Sequence, residues 1–167
     1  RIEVQGNTKT RDKVIRREMK VVEGDLFSAS ALKRSKDRIN NLGYFEAVDL
    51  TTSEGSDPSH VNVDVNVKER STGTFSVGAG YSSVDGFVGQ GSITQENFLG
   101  RGWKLNLAAS LGGDSTTYQI GLTDPYFLDK NLTLGFELYQ TTREWDDFSR
   151  DATGGAVKLG FPVVDDY

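Results

Sequence analysis

The stretch Trp103-Lys104-Leu105-Asn106-Leu107-Ala108-Ala109-Ser110-Leu111 alternates with a period of two. Trp103, Leu105, Leu107, Ala109 and Leu111 share one face, and Lys104, Asn106, Ala108 and Ser110 share the other. Successive side chains of a strand point to opposite faces, so this run predicts a β-strand with one apolar and one polar side. The pattern recurs to either side of it. Phe75, Val77, Ala79 and Tyr81 oppose Thr74, Ser76, Gly78 and Gly80, and Tyr118, Ile120 and Leu122 oppose Gln119, Gly121 and Thr123. Leu132, Leu134, Phe136 and Leu138 oppose Thr133, Gly135, Glu137 and Tyr139, while Val157, Leu159 and Phe161 oppose Ala156, Lys158 and Gly160. Residues 87–95 form the weakest of these strands, with no clean apolar face. A soluble antiparallel sandwich and a transmembrane barrel both use such alternation. Gly, Ser, Thr and Gln on the non-apolar face favour the barrel wall, as do Trp103, Tyr126, Phe127 and Tyr139, expected in an interfacial aromatic girdle. Glu137, set among apolar neighbours, is expected to face a watery interior.

Composition is compatible with this reading. The 167 residues are 36% hydrophobic, with a mean hydropathy of -0.45. A barrel reaches such values because half of each strand faces water. No run approaches the roughly 20 apolar residues of a spanning helix. No secretory signal stands at Arg1, and the chain reads as an excerpt of a mature protein. Cysteine is absent, which removes disulfides and thiolate metal sites from consideration. Of 19 Lys and Arg and 24 Asp and Glu, 13 and 12 fall within residues 1–72. Neither part has the basic balance of a nucleic-acid binder.

Residues 1–70 carry different signals. Residues 1–5 predict a short strand ending at the Gly6-Asn7 turn, followed by a helix with Thr10 as N-cap and Val14, Ile15 and Met19 turned inward. A second helix is expected from Ser28 or Ser30, burying Leu32, Ile39 and Leu42 and stopping at Gly43. Lys33, Arg34, Lys36 and Arg38 lie mostly on its outer face, read as a solvated surface in preference to an acidic-partner or headgroup site. Residues 44–52 and 61–68 predict two strands around a loop holding Asp57-Pro58, with Val61, Val63, Val65 and Val67 on one face. The order is β-α-α-β-β, an α+β unit placed ahead of the alternating strands.

The residues that carry a resemblance are Asn40-Asn41-Leu42-Gly43-Tyr44-Phe45, Val67-Lys68-Glu69-Arg70, Gly78-Ala79-Gly80-Tyr81, Gln95-Glu96-Asn97-Phe98-Leu99-Gly100 and Thr123-Asp124-Pro125-Tyr126-Phe127. In order and spacing they are similar to the BamA family of outer-membrane β-barrel assembly factors. The resemblance implies a periplasmic POTRA domain over residues 1–70, a hinge at 71–73, and about six of sixteen barrel strands over 74–167. It places the chain in the bacterial outer membrane of a Gram-negative cell, with residues 1–70 in the periplasm. Residues 82–86 and 112–116 then become outer turns, 97–102 and 124–131 inner turns, and 141–154 an outer loop. Asp146, Asp147 and Asp151 in that loop are read as solvated acids, so no metal is assigned.

In this family the first barrel strand pairs weakly with the last, and the seam opens so that an incoming barrel protein adds its own strand. The resemblance therefore implies a client-strand edge at Thr74, Phe75, Ser76, Val77, Gly78, Ala79, Gly80 and Tyr81, working by β-augmentation. Gly78 and Gly80 suit close approach of a second backbone, or relieve crowding; for Gly73, Gly89 and Gly91 relief of crowding is the preferred reading. Glu23 matches a family position that contacts an assembly-machine lipoprotein through a salt bridge, with an ordinary turn acid as the alternative. Arg70, Ser71, Thr72 and Gly73 are implied as the hinge. The implied partners are lipoproteins of the assembly machine, unfolded outer-membrane barrel clients and outer-membrane lipid. A related exporter that moves an unfolded passenger, and a soluble β-rich binding domain, are the alternative functions. No cofactor and no catalytic residue is assigned, because His60 stands alone in a loop without a second ligand or a nucleophile elbow.

Overall fold

The computed structural model describes residues 1–162. The chain divides into two compact units, Arg1–Thr72 with Leu99–Arg101, and Gly73–Phe98 with the residues from Gly102 onward.

In the first unit the predicted β-α-α-β-β order is observed: β1 (Ile2–Gln5), α1 (Asp12–Arg16), α2 (Ala29–Asn41), β2 (Phe45–Glu54) and β3 (Val61–Glu69). The sheet runs β1-β3-β2, with β1 parallel to β3 and β2 antiparallel to it. The alternating valines of β3 explain where the core sits. Val63, Val65 and Val67 are buried together with Val14, Ile15, Ile39, Phe45 and Val48, whereas Val61 at the strand's start is 40% exposed. The second helix begins and ends where its signals place it. Ser28 Oγ accepts the Ala31 N–H at 3.3 Å, and Gly43 follows the C-cap Leu42 with φ +72°, a left-handed conformation that suits glycine.

Thr10 does not cap α1. The N-cap is Arg11, without a side-chain cap bond, and Thr10 is buried with its N–H given to Glu69 Oε1 at 2.6 Å. The Thr10 side chain also hydrogen-bonds Glu69 at the end of β3, a charge-assisted bond that takes the hydroxyl away from the helix N-terminus. The four cations of α2 also separate. Lys33 and Arg34 are exposed, while Lys36 reaches Asp49 at 3.5 Å and Arg38 Nη2 reaches Glu18 at 2.9 Å.

The second unit is one antiparallel sheet of six strands in sequence order: β4 (Gly73–Ser82), β5 (Gly86–Phe98), β6 (Trp103–Leu111), β7 (Ser115–Asp124), β8 (Thr133–Glu144) and β9 (Ser149–Gly160). Its register aligns the two kinds of side chain into rows. Phe75, Ile93, Leu107, Ile120 and Leu138 lie opposite one another across β4 to β8, and the neighbouring row holds Thr74, Thr94, Asn106, Gly121 and Glu137. Directly opposed strand residues share a face, so the first row is apolar and the second polar on opposite sides of the sheet. Among the described residues no helix is long and apolar enough to cross a membrane; barrels cross with strands.

Two expectations are corrected here. Residues 141–154 are not a long loop: β8 and β9 stay paired to Glu144 opposite Ser149, leaving a turn at 145–148, and Asp151 is a strand residue. Polar strand ends keep their ladder where hydrophobicity has already faded. Tyr139 is not at a girdle position either. It sits mid-strand on the polar side, opposite Gly154, where a Cβ would overlap the Tyr139 ring. Residues 87–95, the weakest pattern, belong to the 13-residue β5, which is supported by β4 and β6 on either side.

Candidate functional site

The candidate site is the outer edge of β4. All ten of its residues pair with β5, from Gly73 opposite Gln95 to Ser82 opposite Gly86. Among the described residues no strand lies on its other side. The edge has two contrasting faces. Phe75, Val77 and Tyr81 project on one with more than two-thirds of their surface exposed, and Thr74, Ser76, Gly78 and Gly80 occupy the other. An unpaired row of backbone N–H and C=O groups is a template for another extended segment. Inside hydrocarbon each unmet group costs several kcal/mol.

The glycines distinguish between the two readings given for them. A Cβ on Gly80 or Gly89 would meet nothing within 4 Å, and on Gly73 or Gly91 only ordinary contacts at 3.7 Å. Relief of crowding, expected for Gly73, Gly89 and Gly91, is thus not what those positions need. Gly78 differs: a Cβ there would stand 3.3 Å from Gln90 Nε2 on β5. Gly80 leaves the edge bare without any packing requirement on its own side.

The polar face carries a charged cluster centred on β8. Glu137 on β8 accepts from Gln119 Nε2 on β7 and is paired with Lys158 on β9. The group bridges three strands on the side predicted to face water.

At the expected hinge, Arg70 is fastened to the first unit. Its N–H donates to the Tyr44 carbonyl at 3.0 Å and its Nε to the Gly43 carbonyl at 2.7 Å. With β4 starting at Gly73, Ser71 and Thr72 make the connection. Beside Arg70, Glu69 receives the Thr8 hydroxyl at 2.7 Å and the N–H groups of Lys9 and Thr10 at 2.9 and 2.6 Å. Partial burial raises this carboxyl, but the bonds from Thr8, Thr10 and Lys9 outweigh it and bring it to about 2. A depressed folded value stabilises above the unfolded value of 4.5, and that contribution is lost as pH falls toward 2. Glu69→Gln is accordingly expected to cost about 1–3 kcal/mol at neutral pH and to flatten the stability profile between those two values. Urea titration at pH 6 and pH 3, read from the Lys9 and Thr10 amide signals, checks both.

Glu23 has work inside its own domain. Its Oε1 accepts the Ile2 N–H at 2.7 Å, and Arg16 Nη1 stands 3.8 Å away while Arg16 Nη2 donates to the Ile2 carbonyl at 2.9 Å. The Ile2 N–H, helped by Arg16, holds the Glu23 carboxyl below its ordinary range. The side chain remains 53% exposed.

His60 lies in the β2–β3 turn, where its Nδ1 is 2.6 Å from Asp57 Oδ1 and the Ser59 hydroxyl donates to that same oxygen at 2.5 Å. The Ser59 hydroxyl, then His60, bring Asp57 to about 2. Ser59 Oγ also stands 3.2 Å from His60 Nδ1, so Asp57, Ser59 and His60 form one exposed, hydrogen-bonded cluster within three residues of the turn.

Residues 1–70 match the POTRA family model, described as a surface antigen variable number repeat. Residues 97–167 match the Omp85 superfamily domain. The outer membrane protein assembly factor BamA of Nitratidesulfovibrio vulgaris is 35% identical over 163 residues, covering 98% of this chain and 21% of that protein. BamA of Neisseria meningitidis serogroup B is 31% identical, with 98% of this chain and 22% of its own length covered. The chain thus spans about a fifth of these relatives. Among solved structures, BamA from Haemophilus ducreyi lacking POTRA domains 1–3 superposes with a TM-score of 0.86 at 34% identity, over 98% of this chain and 32% of that one. CdiB from Acinetobacter baumannii gives 0.60 at 16% identity, over 95% of this chain and 32% of that one, a likeness of fold alone.

Proposed function

Because the chain belongs to the Omp85 superfamily, as a POTRA domain followed by transmembrane barrel strands, we propose that it acts in outer-membrane barrel assembly with β4 as the template edge. Residues 1–70 lie in the periplasm and the six-stranded sheet in the outer membrane, which puts the Ser82 end of the sheet outside. The observation that carries the reading is β4 itself: ten residues paired on one side, apolar and exposed on one face, small and polar on the other. A client strand that pairs there satisfies its own backbone before it enters hydrocarbon, and side-chain alternation selects segments of matching period.

Glu23 is proposed to meet an assembly-machine lipoprotein through its half-exposed side chain. Outer-membrane lipid is proposed to cover the row from Phe75 to Leu138.

The experiment is the folding of a urea-unfolded outer-membrane barrel into vesicles containing a full-length protein that carries this segment. Faster client folding than in empty vesicles is expected. Unchanged client folding, with transport of an unfolded passenger into the vesicle instead, would replace this reading with the exporter.

A further inference from the structure

At the Ser82 end of the sheet the ladders stop at different heights. The β5–β6 pairing ends at Gly89 opposite Leu111, yet β4 and β5 continue beyond it through Gly80 opposite Val88 and Tyr81 opposite Phe87 to Ser82 opposite Gly86. The tip of the template strand is therefore a two-stranded ribbon, and such a ribbon by itself is only marginally stable.

What holds it is the turn at residues 83–85. Ser82 Oγ accepts the N–H groups of Val84 and Asp85, both at 3.2 Å, which shapes the turn. The Asp85 carbonyl then accepts the Gly113 N–H at 2.9 Å from the β6–β7 turn. Its carboxylate, 17% exposed, has Oδ1 buried and faces Arg143 Nη2 of β8 at 3.6 Å. The fit is close: a Cβ on Gly113 would stand 2.8 Å from the Asp85 carbonyl oxygen, and one on Gly112 would stand 3.2 Å from Asp85 Cβ. The Gly112-Gly113 pair admits Asp85 where any side chain would push it away. The second turn is tied onward in turn, since the Asp114 carbonyl accepts the Glu144 N–H at 2.8 Å. Three hairpins are thereby joined through one residue of the first.

The geometry points to Asp85 as a positioning residue that holds the free tip of β4 and so fixes the register in which a client strand pairs with it. This rests on β4 being the template edge. Register in a strand pair is set by where the ends are fixed, and a slip of one residue exchanges the two faces. A tip anchored through Asp85 gives the incoming strand one alignment; a fraying tip gives several.

Two measurements on a full-length protein carrying this segment test the assignment. In Asp85→Ala, which removes the ion pair with Arg143, amide exchange at Gly80, Tyr81 and Ser82 is expected to rise about fivefold, the factor that an ion pair worth about 1 kcal/mol supplies. Exchange at Thr74 and Ser76 stays as it was. Unchanged exchange at the tip overturns the anchoring role, and this readout needs no client. Single cysteines along β4, paired with one cysteine in the last strand of a barrel client, then report register by disulfide capture. The unaltered protein is expected to capture at one position and Asp85→Ala at that position and those two residues away, with Asp85→Glu returning the single position by restoring a carboxylate opposite Arg143. A single position kept in Asp85→Ala, despite faster tip exchange, overturns the register role. Absence of capture in the unaltered protein overturns the template edge itself and leaves the exchange result to judge the anchor. Should Asp85→Ala fail to fold, Arg143→Ala removes the same pairing from the other side and is read by the same two measurements.

Discussion

Ile120→Arg is expected to destabilise the membrane-inserted sheet by about 2–4 kcal/mol, the cost of an arginine at the bilayer midplane on the lipid side of a barrel. Each 1.4 kcal/mol is a factor of about ten, so the folded-to-unfolded ratio falls by roughly 30-fold or more. The reasoning rests on register. Ile120 lies in the row with Phe75, Ile93, Leu107 and Leu138, halfway along β7, and is 45% exposed although large and apolar. Asn106 supplies the control. It occupies the opposite face in the row that leads through Gly121 to Glu137, so Asn106→Arg places its charge toward water and an acid, and the expected change is within about 0.5 kcal/mol. A second control separates a bilayer from a protein core. Leu111 is on the apolar face at the end of β6, where the cost of arginine in a barrel falls to about 0–1 kcal/mol. Urea titration of the vesicle-folded protein gives all three values. Equal costs at positions 120 and 111 would mean that the apolar face does not follow bilayer depth.

Ile39→Ala is expected to cost about 2–5 kcal/mol in the first unit. Ile39 is fully buried in α2 among the β2 and β3 core residues, and its methyl groups fill space that a helix anchored by both caps is slow to surrender. A unit of this size has a total stability of only about 4–10 kcal/mol, so the loss takes a large share of it. The expected result is early proteolysis of residues 1–70 with the six-stranded sheet retained. Lys33→Ala, on the exposed face of the same helix, should shift nothing beyond about 0.5 kcal/mol. A loss under 1 kcal/mol for Ile39→Ala would show that this core can close around the missing atoms.

Much of this architecture is local and so legible in the amino-acid order. The run from Trp103 to Leu111 delimits β6 to the residue, the alternating valines locate the core side of β3, and Ser28 and Gly43 bracket α2. What escapes reading lies far apart in the chain. Thr10 is drawn from its cap role by Glu69, 59 positions away, and Asp85 meets Arg143 only once three hairpins are aligned. No spacing rule connects such partners. The ends of β8 and β9 escape for another reason: hydrophobic alternation marks where a strand crosses lipid, while the backbone ladder from Thr141 to Glu144 continues past it. For the candidate edge, the order of strands was readable but the bare side of Gly80 and the tight seat of Gly78 over Gln90 depend on neighbours that only the fold supplies.

Disulfide capture at Ser76 and Gly78 tests directly whether β4 offers its free side to a client strand. The chain itself has no cysteine, so single cysteines at these positions in a full-length protein are clean reporters. During folding of a barrel client with one cysteine in its terminal strand, capture at one of the two positions and not the other is the predicted result. Equal capture at both, or none while the protein is folded and inserted, would rule out β4 as a register-specific template edge.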